Sequence, residues 1–282
     1  MMPSDAAATE SRLPQGADPP EGAAAAKVEL RGIHHSFRDE SGRPLPVLDG
    51  LDLVAQENQF VAIVGPTGSG KSTLFHILAG LLNPTSGAVL LDGDDITGSP
   101  GHVAYMMQKD LLLAWRRVVD NVALGPELAG ERRAVARERA RALMPLFGLS
   151  GFEDFYPAGL SGGMRQRVAL MRTFLCDRSL LLLDEPFSAL DALTRAGMHD
   201  WLLSTWPSLG RAGLLITHDV EEALLLADEV LVLSPRPGRI VDRVRSPFPG
   251  PRGRDLLRER RFGELKLHLL ERLGLSTAGG AP

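Results

Sequence analysis

Cysteine is almost missing from this chain: Cys176 is the single one in 282 residues. That excludes a disulfide framework and any cysteine-based metal site. Lying in an apolar, helix-like stretch, Cys176 reads as a small buried hydrophobe. No apolar run reaches the roughly 18–20 residues needed to cross a bilayer. The opening stretch has no basic segment followed by an apolar one, so it does not read as a secretory signal. Its Ala, Pro and Gly bias without periodicity predicts a disordered lead-in over 1–26. Neither sign of charge dominates. A formal net charge of −4 gives no general attraction to nucleic acid or acidic lipid, so no nucleic-acid partner is expected. Arginines gather at 132–141 and 252–261, but interleaved glutamates make each cluster read as a solvated helix face. With 44% hydrophobic and 23% charged residues, what remains has the composition of a soluble globular protein. It is long enough for one large domain or two modest ones. The expectation is a cytosolic chain that reaches a membrane only through a partner.

The pattern of apolar residues predicts two kinds of strand. The segments 27–37, 47–59 and 87–93 alternate or end in turns, and suit a small antiparallel layer. The runs FVAIV (60–64), VAYM (103–106), LLLL (180–183), LLIT (214–217) and EVLVL (229–233) are short and nearly continuous. Such strands belong in a parallel sheet covered on both faces by helices. Between 110 and 177 the texture is helical, with segments at 131–147 and 159–177. Pro-rich turns follow from about 234, and an amphipathic segment covers 261–275.

Directly after FVAIV comes GPTGSGKST, residues Gly65, Pro66, Thr67, Gly68, Ser69, Gly70, Lys71, Ser72 and Thr73. This fits the P-loop pattern G-x-x-x-x-G-K-[ST]. The glycines let successive backbone N–H groups face a polyphosphate where any Cβ would crowd it. Lys71 supplies a point charge for the β- and γ-phosphates, and Ser72 a hydroxyl for Mg²⁺. The helix that follows aims its positive end at the same group. The alternative is a chance glycine-rich turn, which accounts for neither the preceding strand nor Lys-Ser-Thr.

A second motif is LLLLDEPFSALD (180–191), four apolar residues and then two adjacent carboxylates. It has the form of a Walker B strand lying beside the P-loop strand. There Asp184 holds Mg²⁺, and Glu185 reaches the water that attacks the γ-phosphate. An ordinary strand-to-turn exit is the competing reading. A third is LSGGMRQR (160–167), in which Ser161, Gly162 and Gly163 make another anion cradle at a helix start. One nucleotide hardly needs two cradles about 90 residues apart. A head-to-tail pair of chains does, each closing its cradle over the nucleotide held by the other.

In this order GPTGSGKS, Gln108, LSGGM, LLLLDEP, SALD and THD resemble the ATP-binding-cassette (ABC) ATPases over residues 27–245. The resemblance implies an α/β fold of the P-loop NTPase type. Its parts would be a mixed, largely parallel sheet core, an antiparallel β-subdomain and a helical subdomain at about 110–177. A C-terminal helical extension follows at 246–282. It implies ATP and Mg²⁺ as ligands. Gln108 then resembles the glutamine that touches Mg²⁺ or the attacking water. Asp191 resembles the residue that communicates across the dimer, with a plain turn role as the alternative. His218 resembles the histidine on the γ-phosphate. Phe37 is the candidate for the aromatic that stacks on adenine, with core packing as its alternative. His34 and His35 read as strand-surface residues, and His76, His102, His199 and His268 match no motif.

What such an engine drives is read from two further stretches. Residues 106–128 and 230–240 look like bacterial importers of the nitrate/sulfonate/taurine type, whose relatives also carry pyrimidine precursors of thiamine. Ala114 departs from the usual LLPW there, and Gly159 from the longer polar residue before LSGG. The implied partners are integral membrane permease subunits, a second copy of the chain and an extracytoplasmic solute-binding protein. The implied place is the cytoplasmic face of the membrane. In such importers the solute never touches the ATPase. Trp115 with Leu111 to Leu113 forms an apolar patch suited to a permease helix or to packing within the helical subdomain. The alternative function is a soluble ABC-type ATPase acting on a cytosolic nucleic-acid or ribosomal assembly. Such proteins usually carry a long coiled coil, zinc cysteines or two fused cassettes, and this chain has none of these.

Overall fold

The computed structural model describes residues 26–248, 250 and 252–275. Except for Ala26, the expected lead-in lies outside them. Strands β1 (Ala26–Arg38) and β2 (Pro44–Gln56) pair antiparallel and lead into β3 (Phe60–Val64), all five residues of which are buried. The P-loop segment and helix α1 (Lys71–Leu78) follow, then β4 (Ser86–Leu91), β5 (Asp94–Asp95) and β6 (Ala104–Met106). Helices α2 (Val118–Val122), α3 (Leu124–Leu128), α4 (Arg133–Leu143) and α5 (Gly162–Leu175) make the helical region. The remainder alternates: β7 (Leu180–Asp184), α6 (Ala192–Leu209), β8 (Ala212–Ile216), α7 (Val220–Leu226), β9 (Glu229–Leu233) and β10 (Ile240–Arg245). Helix α8 (Arg260–Arg272) closes the described chain.

Two sheets result. One is antiparallel, in the order β2-β1-β4-β5; the other is six-stranded, in the order β10-β9-β3-β8-β7-β6, with only β10 antiparallel to its neighbour. Continuous apolar runs suit the larger sheet because both its faces are covered. Along β7, Leu181 and Leu183 join the core with the helical region, while Leu180 and Leu182 join the core with α1 and the antiparallel layer. The carboxylate-bearing strand β7 is not beside the P-loop strand, as its motif led us to expect. The β7-α6-β8 crossover returns the chain toward β3, and β8 fills the place between them.

Two histidines part company in β1. A register shift falls between Leu30 and Ile33, and Gly32 lies in the left-handed region at φ 53. This bulge changes the inward-facing parity from Val28 and Leu30 to Ile33 and His35. His35 is therefore buried instead of lying on the strand surface, and neither ring nitrogen has a hydrogen-bond partner among the described residues. His34 turns outward to Asp49 at 3.1 Å. The arginine clusters are also more than solvated faces. Arg133 and Arg137 converge on buried Asp120, and Arg252 pairs with Asp228. Helix α8 buries Phe262, Leu265 and Leu269, and its Lys266 pairs with Glu221 of α7.

Candidate nucleotide site

The buried strand β3 delivers its chain into the loop of residues 65–70, and α1 starts at Lys71. The N-cap, Gly70, has φ 95, and a Cβ there would lie 2.6 Å from Cδ2 of Leu48. Only glycine meets both demands, the left-handed backbone and the close strand. The Leu74 amide donates to the Gly70 carbonyl at 2.9 Å, so the helix begins immediately behind the loop. Lys71 Nζ donates to the carbonyls of Gly65 at 2.8 Å and Pro66 at 2.9 Å. Burial lowers the Lys71 pKa, while nearby Glu185 and Asp184 act to raise it. Ser69 is fully buried, its amide donating to the Pro66 carbonyl.

Beside this loop opens a cleft of about 350 Å³. It is lined by Phe37, Val47, Thr67, Gly68, Gly70, Lys71, Ser72, Thr73, Gln108, Glu185, Ile216 and Arg236. Phe37, 44% exposed, presents its ring here, with the His35 ring packed edge-on 4.6 Å away. At the other side Gln108 Nε2 donates to Glu185 Oε2 at 3.3 Å, and His218 Nδ1 lies 3.6 Å from Glu185 Oε1. Both oxygens of one carboxylate are thus bracketed by polar side chains from separate loops. Glu185 itself has φ 50, a conformation costly for a residue with a side chain and one that clusters at functional sites.

Asp184 is 3% exposed, hydrogen-bonded to Ser72 and to Tyr105, whose hydroxyl donates at 3.4 Å. Burial raises its pKa first, and the Glu185 charge adds to this. The same burial with the Asp184 charge raises the Tyr105 pKa. A buried carboxylate with a hydroxyl neighbour and no ion-pair partner among the described residues suits a small hard cation with oxygen ligands. Among the described residues there is no cluster of three or more His, Cys, Asp or Glu that could hold a metal. A cation here would therefore complete its shell from Ser72, Gln108, the substrate's phosphates and water, the usual habit of Mg²⁺.

The other expected residues stand elsewhere. Ser161 caps α5, its Oγ accepting from the Met164 amide at 3.2 Å, and Ser161 and Gly162 are exposed. Gly163 lies close to the Ala189 carbonyl, where a Cβ would approach to 3.3 Å. Asp191 caps α6, accepting from the Leu193 and Thr194 amides at 3.1 and 3.0 Å. None of these four lines the cleft. Sequence reasoning passed over Gln166, Tyr105 and Arg236. Gln166 is polar and adjoins the Ser-Gly-Gly turn, a usable signal; Tyr105 sat inside an apolar run and Arg236 inside a Pro-rich turn, where nothing distinguished them.

Comparison with known proteins bears on this geometry. A family model described as "ABC transporter" matches residues 48–188. A taurine import ATP-binding protein, TauB, of Burkholderia thailandensis is 45% identical over 234 residues, covering 81% of this chain and 90% of the relative. TauB of Pseudomonas entomophila is 40% identical, covering 88% and 96%. An uncharacterized ABC transporter ATP-binding protein, MJ0412, of Methanocaldococcus jannaschii is 41% identical, covering 87% and 91%. Among solved structures, the dimeric bacterial ABC transporter cassette MJ0796 superposes with a TM-score of 0.70 at 26% identity, covering 77% of this chain and 98% of that one. The same cassette bound to ADP and Pi in a post-hydrolysis state gives 0.69.

Proposed function

The chain belongs to the ABC transporter family, and from that premise we propose how its residues work and what they serve. It is the ATP-binding and ATP-hydrolysing subunit of an importer of small solutes, and its α/β cassette is the fold expected from its motifs. The proposed solute is taurine or a similar small sulfonate, on the strength of the TauB relatives. The same relatives favour a transporter over a cytosolic nucleic-acid or ribosomal assembly. Among the described residues no helix is long and apolar enough to cross a membrane. On the strength of the family and the TauB relatives, the passage is assigned to separate permease subunits. We place the subunit on their cytoplasmic face, with an extracytoplasmic solute-binding protein completing the complex.

One observation carries the mechanism: Lys71, Gln108, Glu185 and Arg236 share a cleft with His218 at its edge, whereas Ser161 to Gly163 lie outside it. The P-loop amides and Lys71 bind the phosphates, and Phe37 offers a stacking face to adenine. Mg²⁺, when bound beside Ser72, Asp184 and Gln108, would neutralise the phosphate oxygens. Glu185 accepts a proton from the water at a carboxylate oxygen as the water oxygen bonds to the γ-phosphorus. The bond from that phosphorus to the bridging oxygen breaks, ADP keeps that oxygen, and phosphate leaves. Gln108 and His218 hold that carboxylate and the γ-phosphate in position. The missing cradle comes from a second copy, whose Ser161, Gly162 and Gly163 close over the γ-phosphate, with Asp191 at the junction. Hydrolysis removes the group that joined the two copies, which makes ATP a reversible clamp.

Glu185→Gln tests this reading. The variant should retain MgATP, lose nearly all steady-state hydrolysis and accumulate as a nucleotide-bound dimer in light scattering. Turnover at the parent rate would overturn the assignment. Co-purification with an integral membrane protein and taurine-dependent stimulation in the reconstituted complex test the importer assignment.

A further inference from the structure

Three charged side chains line the cleft, and two are engaged: Lys71 by loop carbonyls and Glu185 by Gln108. Arg236 has no hydrogen-bond or ion-pair partner among the described residues, although nearby Arg239 is paired with Asp49. The loop that carries it, 234–239 between β9 and β10, is firmly built. Ser234 Oγ donates to the Pro237 carbonyl and accepts from the Arg239 amide, each at 3.0 Å. The Gly238 amide donates to the Val47 carbonyl at 2.8 Å, and the Asp49 amide donates to the Gly238 carbonyl at 3.1 Å. Gly238 also lies so close beneath the P-loop that a Cβ would collide with the Ser69 carbonyl oxygen. The loop is clamped between β2 and the P-loop, so its arginine is presented at small ordering cost.

Sheet order fixes the side from which it approaches. β9 flanks β3 on one side; β8 and β7 lie on the other, and they lead to His218 and Glu185, which mark the γ-phosphate end. We propose that Arg236 is a further nucleotide-binding residue, its guanidinium engaging the α- and β-phosphates from the side of the P-loop opposite the hydrolytic groups. An arginine fork suits phosphate oxygens, and charge-assisted hydrogen bonds of this kind are the strong ones. The inference rests on the cleft being the nucleotide site and adds to that site a second fixed positive charge besides Lys71. Because the contact stops short of the γ-phosphate, it serves ATP and ADP alike.

The test is calorimetric titration of the full chain with MgADP, and of its Glu185→Gln form with MgATP. Arg236→Gln should weaken both nucleotides by about tenfold, with a shallower salt dependence, and Arg236→Lys should recover much of the loss. Arg236 is exposed, so thermal melting of the apo variants should stay unchanged. Affinities equal to the parent, or a loss confined to MgATP, would overturn the proposal. Lys71→Ala measured alongside separates the two levels. If it abolishes binding while Arg236→Gln binds both nucleotides as tightly as the parent, the arginine assignment alone fails; if Lys71→Ala too binds normally, the cleft is not the nucleotide site.

Discussion

Gln166 Nε2 donates to the backbone carbonyl of Glu185 at 2.9 Å, joining the helix that carries the second cradle to the residue assigned to the attacking water. The Ala189 amide returns a bond to Gln166 Oε1 at 2.9 Å, so the buried amide ties α5 to the turn after β7 from both of its ends. The Glu185 amide is held too, by the Ile216 carbonyl at 2.9 Å. These bonds keep Glu185 in its left-handed conformation. Gln166→Ala should lower kcat by about tenfold or more with little change in nucleotide affinity, while costing about 1 kcal/mol of stability, because the Ala189 amide loses its acceptor although the Glu185 carbonyl keeps the Ser188 hydroxyl at 3.0 Å. Single-turnover hydrolysis beside nucleotide titration checks the split. A stability loss with kcat intact would reduce Gln166 to a packing role.

Asp184 gives a signed prediction about the metal. Its folded-state pKa is raised above the ordinary 3.8 by burial. The stability it contributes is therefore complete below that ordinary value and lost as pH rises through the raised one. Above that raised value and without nucleotide, the ionised side chain is a cost. Asp184→Asn should melt higher, by about 1 kcal/mol or roughly 2–4 °C. With MgADP the order should reverse, because the parent gains its cation and the variant does not. Melting curves with and without MgADP decide this; equal stabilisation of both proteins by MgADP would remove Asp184 from the metal shell.

The parts of the fold legible in sequence were those written locally. Five short apolar runs marked the parallel strands because both faces of that sheet are covered. Glycines with Lys71, and Asp184 with Glu185, marked the candidate site because polyphosphate chemistry would demand those residue types in a contiguous order. Relations between distant segments were hidden. That β8 separates β7 from β3 follows from the crossover, and that His35 points inward follows from a bulge at Gly32 that shifts the alternation. Helices α2 and α3 escaped notice because each is five residues long, too short for a period, and α3 contains Gly125 and Pro126. Arg236 was hidden by its prolines, which announce a turn and say nothing about what the turn faces.

Trp115 is 75% exposed and Leu111 52%, so these two side chains face outward, whereas the partly buried Leu112 packs against the core of the helical region. The segment is nevertheless braced. Arg172 donates to the carbonyls of Asp110 and Leu111 at 2.7 and 2.9 Å, and the Leu113 amide donates to Asn121 Oδ1 at 2.7 Å. A rigid apolar surface close in sequence to Gln108 is suited to a permease helix. Trp115→Ala should leave hydrolysis by the isolated subunit within about twofold while weakening permease co-purification about tenfold. Undiminished assembly and transport would exclude the patch from coupling.

The helical region is secured to itself by an ion cluster whose removal has a calculable sign. Asp120 of α2 is 4% exposed, and its carboxylate accepts from Arg137 Nε and Nη2 of α4 at 2.6 and 2.8 Å and from Arg133 Nη2 at 3.1 Å. The Arg137 hydrogen bond is the largest cause that holds the Asp120 pKa below its ordinary 3.8, against the opposing effect of burial. Its contribution to stability is thus present above that value and lost as pH falls through the lowered one. Asp120→Ala should destabilise the protein by roughly 3 kcal/mol at pH 7, since two guanidinium groups lose their buried anion. Asp120→Asn keeps the shape and removes the charge, so its deficit relative to the parent should shrink as the medium is acidified below about pH 4. Denaturant midpoints of parent and variant, followed from neutral pH downward, measure this. A deficit independent of pH would mean that shape, and not charge, holds α2 to α4.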